Sequence, residues 1–314
     1  MTPEQIVSSM AVYIRDAVRP HLGTLQGRKL MGVAASGDTT FAIDEIAEEA
    51  IVTFIEAHAL SIAYYSEDKG LIEFGDHPDG VLVIDPIDGT RPAMAGFEQS
   101  VVSVAWAEYK PNVTLGDVRC GCIAELKQDD LFLAHRGGGV KWLRSDGSLQ
   151  APRLLPITRI DRAPMSFEIV ARPAKIIAEV LGDIIDAASL NAGVFLLNST
   201  AYSLTRLVTG QLAGSIDVGP LIIKELPGKL PAFVALGGGS VIGLFTYDLA
   251  AASLIAKEAG AIVTDARGGS IDGVPLLDTS QSNLVSLCAA STPELHTALL
   301  ASIDAGIARL SGTI

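Results

Sequence analysis

Four apolar residues in a row, Val81-Leu82-Val83-Ile84, run without a break into Asp85-Pro86-Ile87-Asp88-Gly89-Thr90. An apolar run of this length, closed by turn chemistry, reads as a buried strand. Such a strand delivers Asp85 at its carboxyl end, the edge at which α/β sheets place ligands. Pro86 fixes its own φ and turns the backbone at once, so Asp88 can return its carboxylate to the side of Asp85. Two carboxylates that close do not both stay ionised without a cation between them. Gly89 lets the backbone approach a ligand closely, and Thr90 offers a hydroxyl and an amide donor. Carboxylates with carbonyls and waters suit a hard ion such as Mg²⁺. Taken alone, the same segment reads equally well as an Asp-Pro turn whose second Asp caps a loop.

Other acids bear on that choice. Glu67 and Asp68 follow a strand-like run at 61–65, which puts them at a strand end as Asp85 is. Asp248 lies in the first turn of a helical segment, 246–259, whose other face carries Ala250, Ala251, Leu254, Ile255 and Ala259. Asp38 precedes a second helical stripe formed by Ile43, Ile46, Ala47, Ala50, Ile51 and Phe54. Each acid has an ordinary explanation: a solvated turn, a charge favoured by the helix dipole, a helix cap. Only their combination is informative.

The remaining pattern alternates helix and strand. Thr2, Pro3 and Gln5 form a capping box ahead of Ile6, Met10, Tyr13, Ile14 and Ala17 at helical spacing. Strands are expected at 81–84 and 101–106, and a hairpin over 131–143 turns at Gly137, Gly138 and Gly139. Beyond Pro156 the expectations are a strand at 167–171, helices at 174–181 and 199–209, strands at 261–264 and 283–289, and a last helix from Thr292. The order implies two mixed α/β halves, 1–152 and 153–314, with Pro152 and Pro156 near the break. The uncharged run from Leu230 to Tyr247 contains Pro231, Gly237, Gly238 and Gly239, and reads as turn and strand rather than as a membrane span.

Composition excludes several function classes. The 314 residues are 49% hydrophobic, enough for a sizeable core with surface left for a cleft. The net charge of −13 repels nucleic acid and anionic lipid, so neither is expected as a partner. Cys120, Cys122 and Cys288 have no metal or redox spacing and read as free thiols in a reducing cytoplasm. In a strand, Cys120 and Cys122 would face the same side.

Asp85-Pro86-Ile87-Asp88-Gly89-Thr90, the upstream Glu67-Asp68, and Tyr247-Asp248-Leu249-Ala250-Ala251-Ala252 with Glu258-Ala259-Gly260 together resemble the two signatures of the inositol monophosphatase family. These are Mg²⁺-dependent, lithium-sensitive phosphatases grouped with the fructose-1,6-bisphosphatases and nucleotide 3′-phosphatases. Asp38 and Asp44 match an early Asp pair, and Asn198-Ser199-Thr200-Ala201 matches a Gly-Ser/Thr-Ala-Ala segment. The resemblance implies a mixed α/β fold, the layered αβαβα sandwich of the sugar phosphatase and inositol monophosphatase type.

It also implies a site. Glu67, Asp85 and the Ile87 carbonyl would hold one Mg²⁺, and Asp85, Asp88 and Asp248 a second, with a third held loosely at Glu67. The Gly89 and Thr90 amides would carry the phosphate, and Ser199 and Thr200 would meet the substrate. A water activated by metal, aligned by Glu67 and Thr90 with Asp38 behind the threonine hydroxyl, would attack phosphorus without a phospho-enzyme. The implied function is a phosphomonoesterase acting on an inositol or sugar phosphate, as a cytoplasmic homodimer. The alternatives are a fructose-1,6-bisphosphatase, a 3′(2′),5′-bisphosphate nucleotidase, and a non-catalytic regulator that binds metal and sugar phosphate. Two departures stand out. Arg91-Pro92 replaces small or polar residues, and Val241 occupies the place, seven residues before Asp248, where inositol-specific members carry an acid. Arg172, Lys224 and Lys229 are the basic candidates for a second phosphate.

Overall fold

Neighbouring residues of a strand face opposite sides of its sheet, and here the two sides have different partners. The structure is a computed structural model that describes residues 1–34, 37 and 39–312. Helix α1 (Pro3–Val18) opens with the expected capping box: the Thr2 hydroxyl accepts from the Gln5 amide at 3.3 Å, and Gln5 Oε1 accepts from the Thr2 amide at 2.9 Å. Strands β1 (Leu30–Val33) and β2 (Thr39–Phe41) form a small antiparallel pair ahead of helix α2 (Ala42–Ala57). The sequence places that helix directly after Gly37, capped by Asp38. Instead Thr39, Thr40 and Phe41, all good β-formers, pair with β1. The helix therefore starts later, where Asp44 Oδ2 accepts from the Phe41 amide at 2.8 Å. Asp38 itself lies outside the described residues.

An eight-stranded sheet follows. It contains β3 (Ile62–Ser66), β4 (Gly70–Phe74), β5 (Gly80–Asp88), β6 (Val101–Glu108), β7 (Val118–Glu125), β8 (Leu131–His135), β9 (Gly139–Leu143) and β10 (Leu149–Gln150). Its order is β10-β9-β8-β7-β6-β5-β3-β4, and β3–β5 is its parallel pair. A short helix α3 (Thr90–Ala95) links β5 to β6. The glycine triplet makes the expected β8–β9 hairpin.

The rest of the chain comprises β11 (Met165–Phe167), α4 (Ala174–Ser189), β12 (Val194–Phe195), α5 (Thr200–Thr209), β13 (Gly214–Asp217), α6 (Gly219–Glu225), α7 (Leu230–Leu236), α8 (Thr246–Glu258), β14 (Ile262–Thr264), β15 (Leu287–Ala290) and α9 (Pro293–Ser311). The second sheet has the order β12-β11-β13-β15-β14. Strand β11 stops earlier than its apolar run suggests, because the chain turns through Ala171 at φ +54°. The last strand is shifted to Leu287–Ala290, since a 3₁₀ turn takes Gln281–Asn283. The uncharged run beginning at Leu230 is not a strand either. Pro231 sits at the start of α7, where proline is well tolerated, and the later part of the run makes an isolated bridge from Leu244 to Val285.

Side-chain alternation then builds the layers. Ile62, Tyr64, Leu82, Ile84, Val102, Val104, Cys120 and Cys122 pack against α1 and α2. Ala63, Tyr65, Val81, Val83 and Ile123 face the other way, toward Leu204 and Leu207 of α5 and Leu249–Ala256 of α8. Leu287 and Ala289 close that middle layer from the second sheet, while Cys288 and Ala290 turn outward to α4 and α9. The result is helix, sheet, helix, sheet, helix. All three cysteines are buried free thiols.

The α8 layer lies hard against β7. A Cβ on Gly121 would sit 2.8 Å from both Cα and Cβ of Ala251. Gly121→Ala is therefore expected to destabilise the protein by about 2 kcal/mol through overpacking. A urea midpoint equal to that of the parent would refute this close fit.

Candidate metal and phosphate site

Strands β3 and β5 run parallel with Ser66 opposite Ile84. The next residues, Glu67 and Asp85, therefore emerge side by side at the carboxyl edge of the sheet. Residues three apart on a regular strand would face opposite sides. Between Asp85 and Asp88 the pairing with β6 slips, however: Asp85 lies opposite Ser103 and Asp88 opposite Val101. That one-residue bulge, at Pro86-Ile87, brings Asp85 and Asp88 to the same side. Asp248 comes from the first turn of α8 in the middle layer. Each of the three carboxylates offers an oxygen within 4.8 Å of the other two.

Backbone amides hold these carboxylates in place. Asp85 Oδ1 accepts from the Ile87 amide at 3.0 Å, and Asp248 Oδ2 from the Phe245 amide at 2.7 Å. Asp88 Oδ2 accepts from the Ala201 amide at the start of α5. Each carboxylate thus commits one oxygen to the scaffold and has a second to offer an ion. Burial, then the charges of Asp88, Glu67 and Asp248, push the Asp85 carboxyl well above its usual range. Burial and Asp88 do the same to Asp248. Burial lifts Asp88 to about 6, against the helix-start amides that lower it. An all-oxygen cluster that resists its own ionisation fits a hard divalent cation, which restores the charged forms.

The pocket around the cluster is also lined by Glu67, Ile87, Gly89, Thr90, Ser199 and Thr200, and it holds about 90 Å³. Gly89 sits at φ +91°, and a Cβ there would lie 2.5 Å from the Gln99 carbonyl oxygen, so only glycine fits. The Thr90 hydroxyl donates to the Ile87 carbonyl at 3.1 Å. Ser199 caps α5, accepting from the Tyr202 amide at 3.2 Å. Pro92 is buried in the first turn of α3, so the unusual Arg91-Pro92 leaves the helix start intact, with exposed Arg91 at the pocket rim.

Some expectations separate. Glu67 lines the pocket, yet it stands outside the tight trio. Asp68 is not part of the lining; its Oδ1 accepts from the Thr40 hydroxyl at 2.5 Å. Val241 is buried in the outer core of the second sheet. Arg172 lines the pocket but is committed: its Nε donates to Asp217 Oδ1 at 3.0 Å, its Nη2 to Asp217 Oδ2, and its Nη1 to the Val170 carbonyl at 2.7 Å. Lys224 and Lys229 are absent from the lining. One charged lining residue escaped sequence reasoning, Glu168, whose carboxyl burial pushes up to about 7. Its signal is a single acid inside the apolar run 167–170.

Comparison with known proteins shows the family and the fold. The profile of the inositol monophosphatase family matches residues 5–308. A "fructose-1,6-bisphosphatase/inositol-1-monophosphatase" of Methanothermobacter thermautotrophicus is 27% identical over 301 residues, 94% of each chain. "Inositol monophosphatase 1" of Xenopus laevis is 26% identical over 245 residues, 76% of this chain and 73% of that one. A solved Pyrococcus horikoshii structure, described as having similarities for inositol-1 monophosphatase, shares the fold at a TM-score of 0.67 and 23% identity. It covers 95% of this chain and 96% of its own.

Proposed function

The chain belongs to the inositol monophosphatase family and is a phosphoric monoester hydrolase, and from that premise we propose that it uses Mg²⁺ to hydrolyse an inositol or sugar phosphate. The observation that carries the reading is the convergence of Asp85, Asp88 and Asp248. In this reading Asp85, Asp88 and Asp248, with Glu67 and the Ile87 carbonyl, hold two or three ions. Bound Mg²⁺ would neutralise phosphate charge and lower the pKa of an attacking water. Gly89 and Thr90 present their amides to the phosphate oxygens. Glu67 orients the attacking water and draws its proton, and the Thr90 hydroxyl lies on the same side. Ser199 and Thr200 border the leaving alcohol. In this reading transfer goes directly to water; among the described residues no cysteine or histidine lines the pocket.

The name of the Methanothermobacter relative joins two activities, so fructose 1,6-bisphosphate is the second candidate substrate. The test is phosphate release from inositol 1-phosphate, fructose 1,6-bisphosphate and adenosine 3′,5′-bisphosphate with Mg²⁺, each with and without Li⁺. Turnover of the first or second, suppressed by Li⁺, is expected. Release from none of them would leave a metal- and sugar-phosphate-binding regulator instead. Light scattering on the same sample checks the homodimer that this reading includes.

A further inference from the structure

The second sheet contributes an acid of its own to the pocket, and the reaction outlined above makes no use of it. Glu168 follows β11 directly, where its amide donates to the Ile216 carbonyl at 3.0 Å and continues the pairing with β13. Its side chain lines the same pocket as the three aspartates, yet only 5% of the residue is exposed. Its Oε1 has no hydrogen-bond partner. The nearby guanidinium does not supply one: Arg172 is turned to Asp217 and to the Val170 carbonyl. A buried carboxyl oxygen without a donor is costly, and such groups in folded proteins are ordinarily satisfied. The missing donor is therefore sought in a ligand.

The chemistry of that ligand is constrained. Glu168 acts electrostatically on Asp88, and the Thr200 hydroxyl lies beside it. A second phosphate on this wall would meet Glu168 and Asp88, beside an Arg172 already paired with Asp217. A neutral hydroxyl has no such conflict and supplies the hydrogen that Oε1 lacks. We propose that Glu168 binds a hydroxyl of the substrate's alcohol moiety, so that the site selects phosphate esters of polyols. Glu168 thus takes over the task for which Val241 has no polar atom. This assignment rests on the phosphomonoesterase reading and adds its specificity-determining residue.

The test compares inositol 1-phosphate with p-nitrophenyl phosphate, an ester without a neighbouring hydroxyl. The quantity read is the ratio of kcat/KM for the first to kcat/KM for the second, with Mg²⁺ present. In Glu168→Leu that ratio is expected to fall about 10- to 150-fold, as for a lost hydrogen bond to a charged group. In Glu168→Gln, which keeps a weaker acceptor, a fall of about 3- to 10-fold is expected. The Gln variant carries the test if the Leu variant does not fold. An unchanged ratio, whether both rates drop together or neither does, makes Glu168 purely structural and overturns the proposal. If the parent protein hydrolyses neither ester, it is the phosphatase reading that fails. Calorimetric titration of inositol 1-phosphate in Mg²⁺ then decides the matter: a Kd equal in parent and Glu168→Gln overturns the assignment, and a weaker Kd in the variant upholds it.

Discussion

Replacing Asp88 or Asp248 with Asn is expected to lower Mg²⁺-dependent kcat by about 10³-fold or more, the scale of losing a charge-stabilising group at a phosphoryl-transfer site. The substitutions keep shape. An Asn at 248 still offers an oxygen to the Phe245 amide, and one at 88 still offers an oxygen to the Ala201 amide, so α8 and α5 start as before. What disappears is the negative charge that draws a cation into the trio. The loss should appear in kcat at saturating Mg²⁺, with an unaltered circular dichroism spectrum. Full turnover in either variant would exclude the proposed ion-binding scheme.

The second large effect is on stability. Asp88 titrates near its ordinary 3.8 when unfolded and at about 6 in the fold, so the folded state binds its proton more tightly. Between those values the unfolded chain gives up its proton first, and the metal-free protein loses stability as pH rises. At about 1.4 kcal/mol per pKa unit, Asp88 alone contributes a loss on the order of 3 kcal/mol. Asp85 and Asp248, also raised, extend the decline to higher pH. A cation reverses the sign of the problem. At about 100 times its Kd it adds about 2.7 kcal/mol, and it holds the carboxylates ionised. Thermal melts from pH 5 to pH 8 should therefore decline in chelator and stay nearly level in Mg²⁺. At pH 8 the two Tm values should differ by about 4 °C or more. Parallel profiles would mean that the trio holds no ion.

Most of the site could be read in the sequence because its residues stand at element boundaries, where local chemistry speaks. The apolar run ending at Asp85, the Asp88-Gly89 turn and the helix opening at Asp248 are all local patterns, and the structure brings these three acids together. The bulge that aligns Asp85 with Asp88 depends on pairing with β6, which no local pattern records. The same holds for Glu168. Its significance comes from Arg172 turning to Asp217, 45 residues away. Val241 is turned into the outer core while its neighbours Ile242, Gly243 and Leu244 line the pocket, a choice of side that no local pattern records. Helix α2 was misplaced by a few residues because β2 competes for the same segment through a partner strand that precedes it.

Asp248 opens α8, which lies between the two sheets and is roofed by β15, near the end of the chain. During synthesis on the ribosome, an emerging polypeptide holds Glu67, Asp85 and Asp88 long before their last companion arrives. The metal site is thereby incomplete until residues 248 and 287–290 have been made. A fragment lacking them would have no full set of carboxylates with which to act on a phosphate ester.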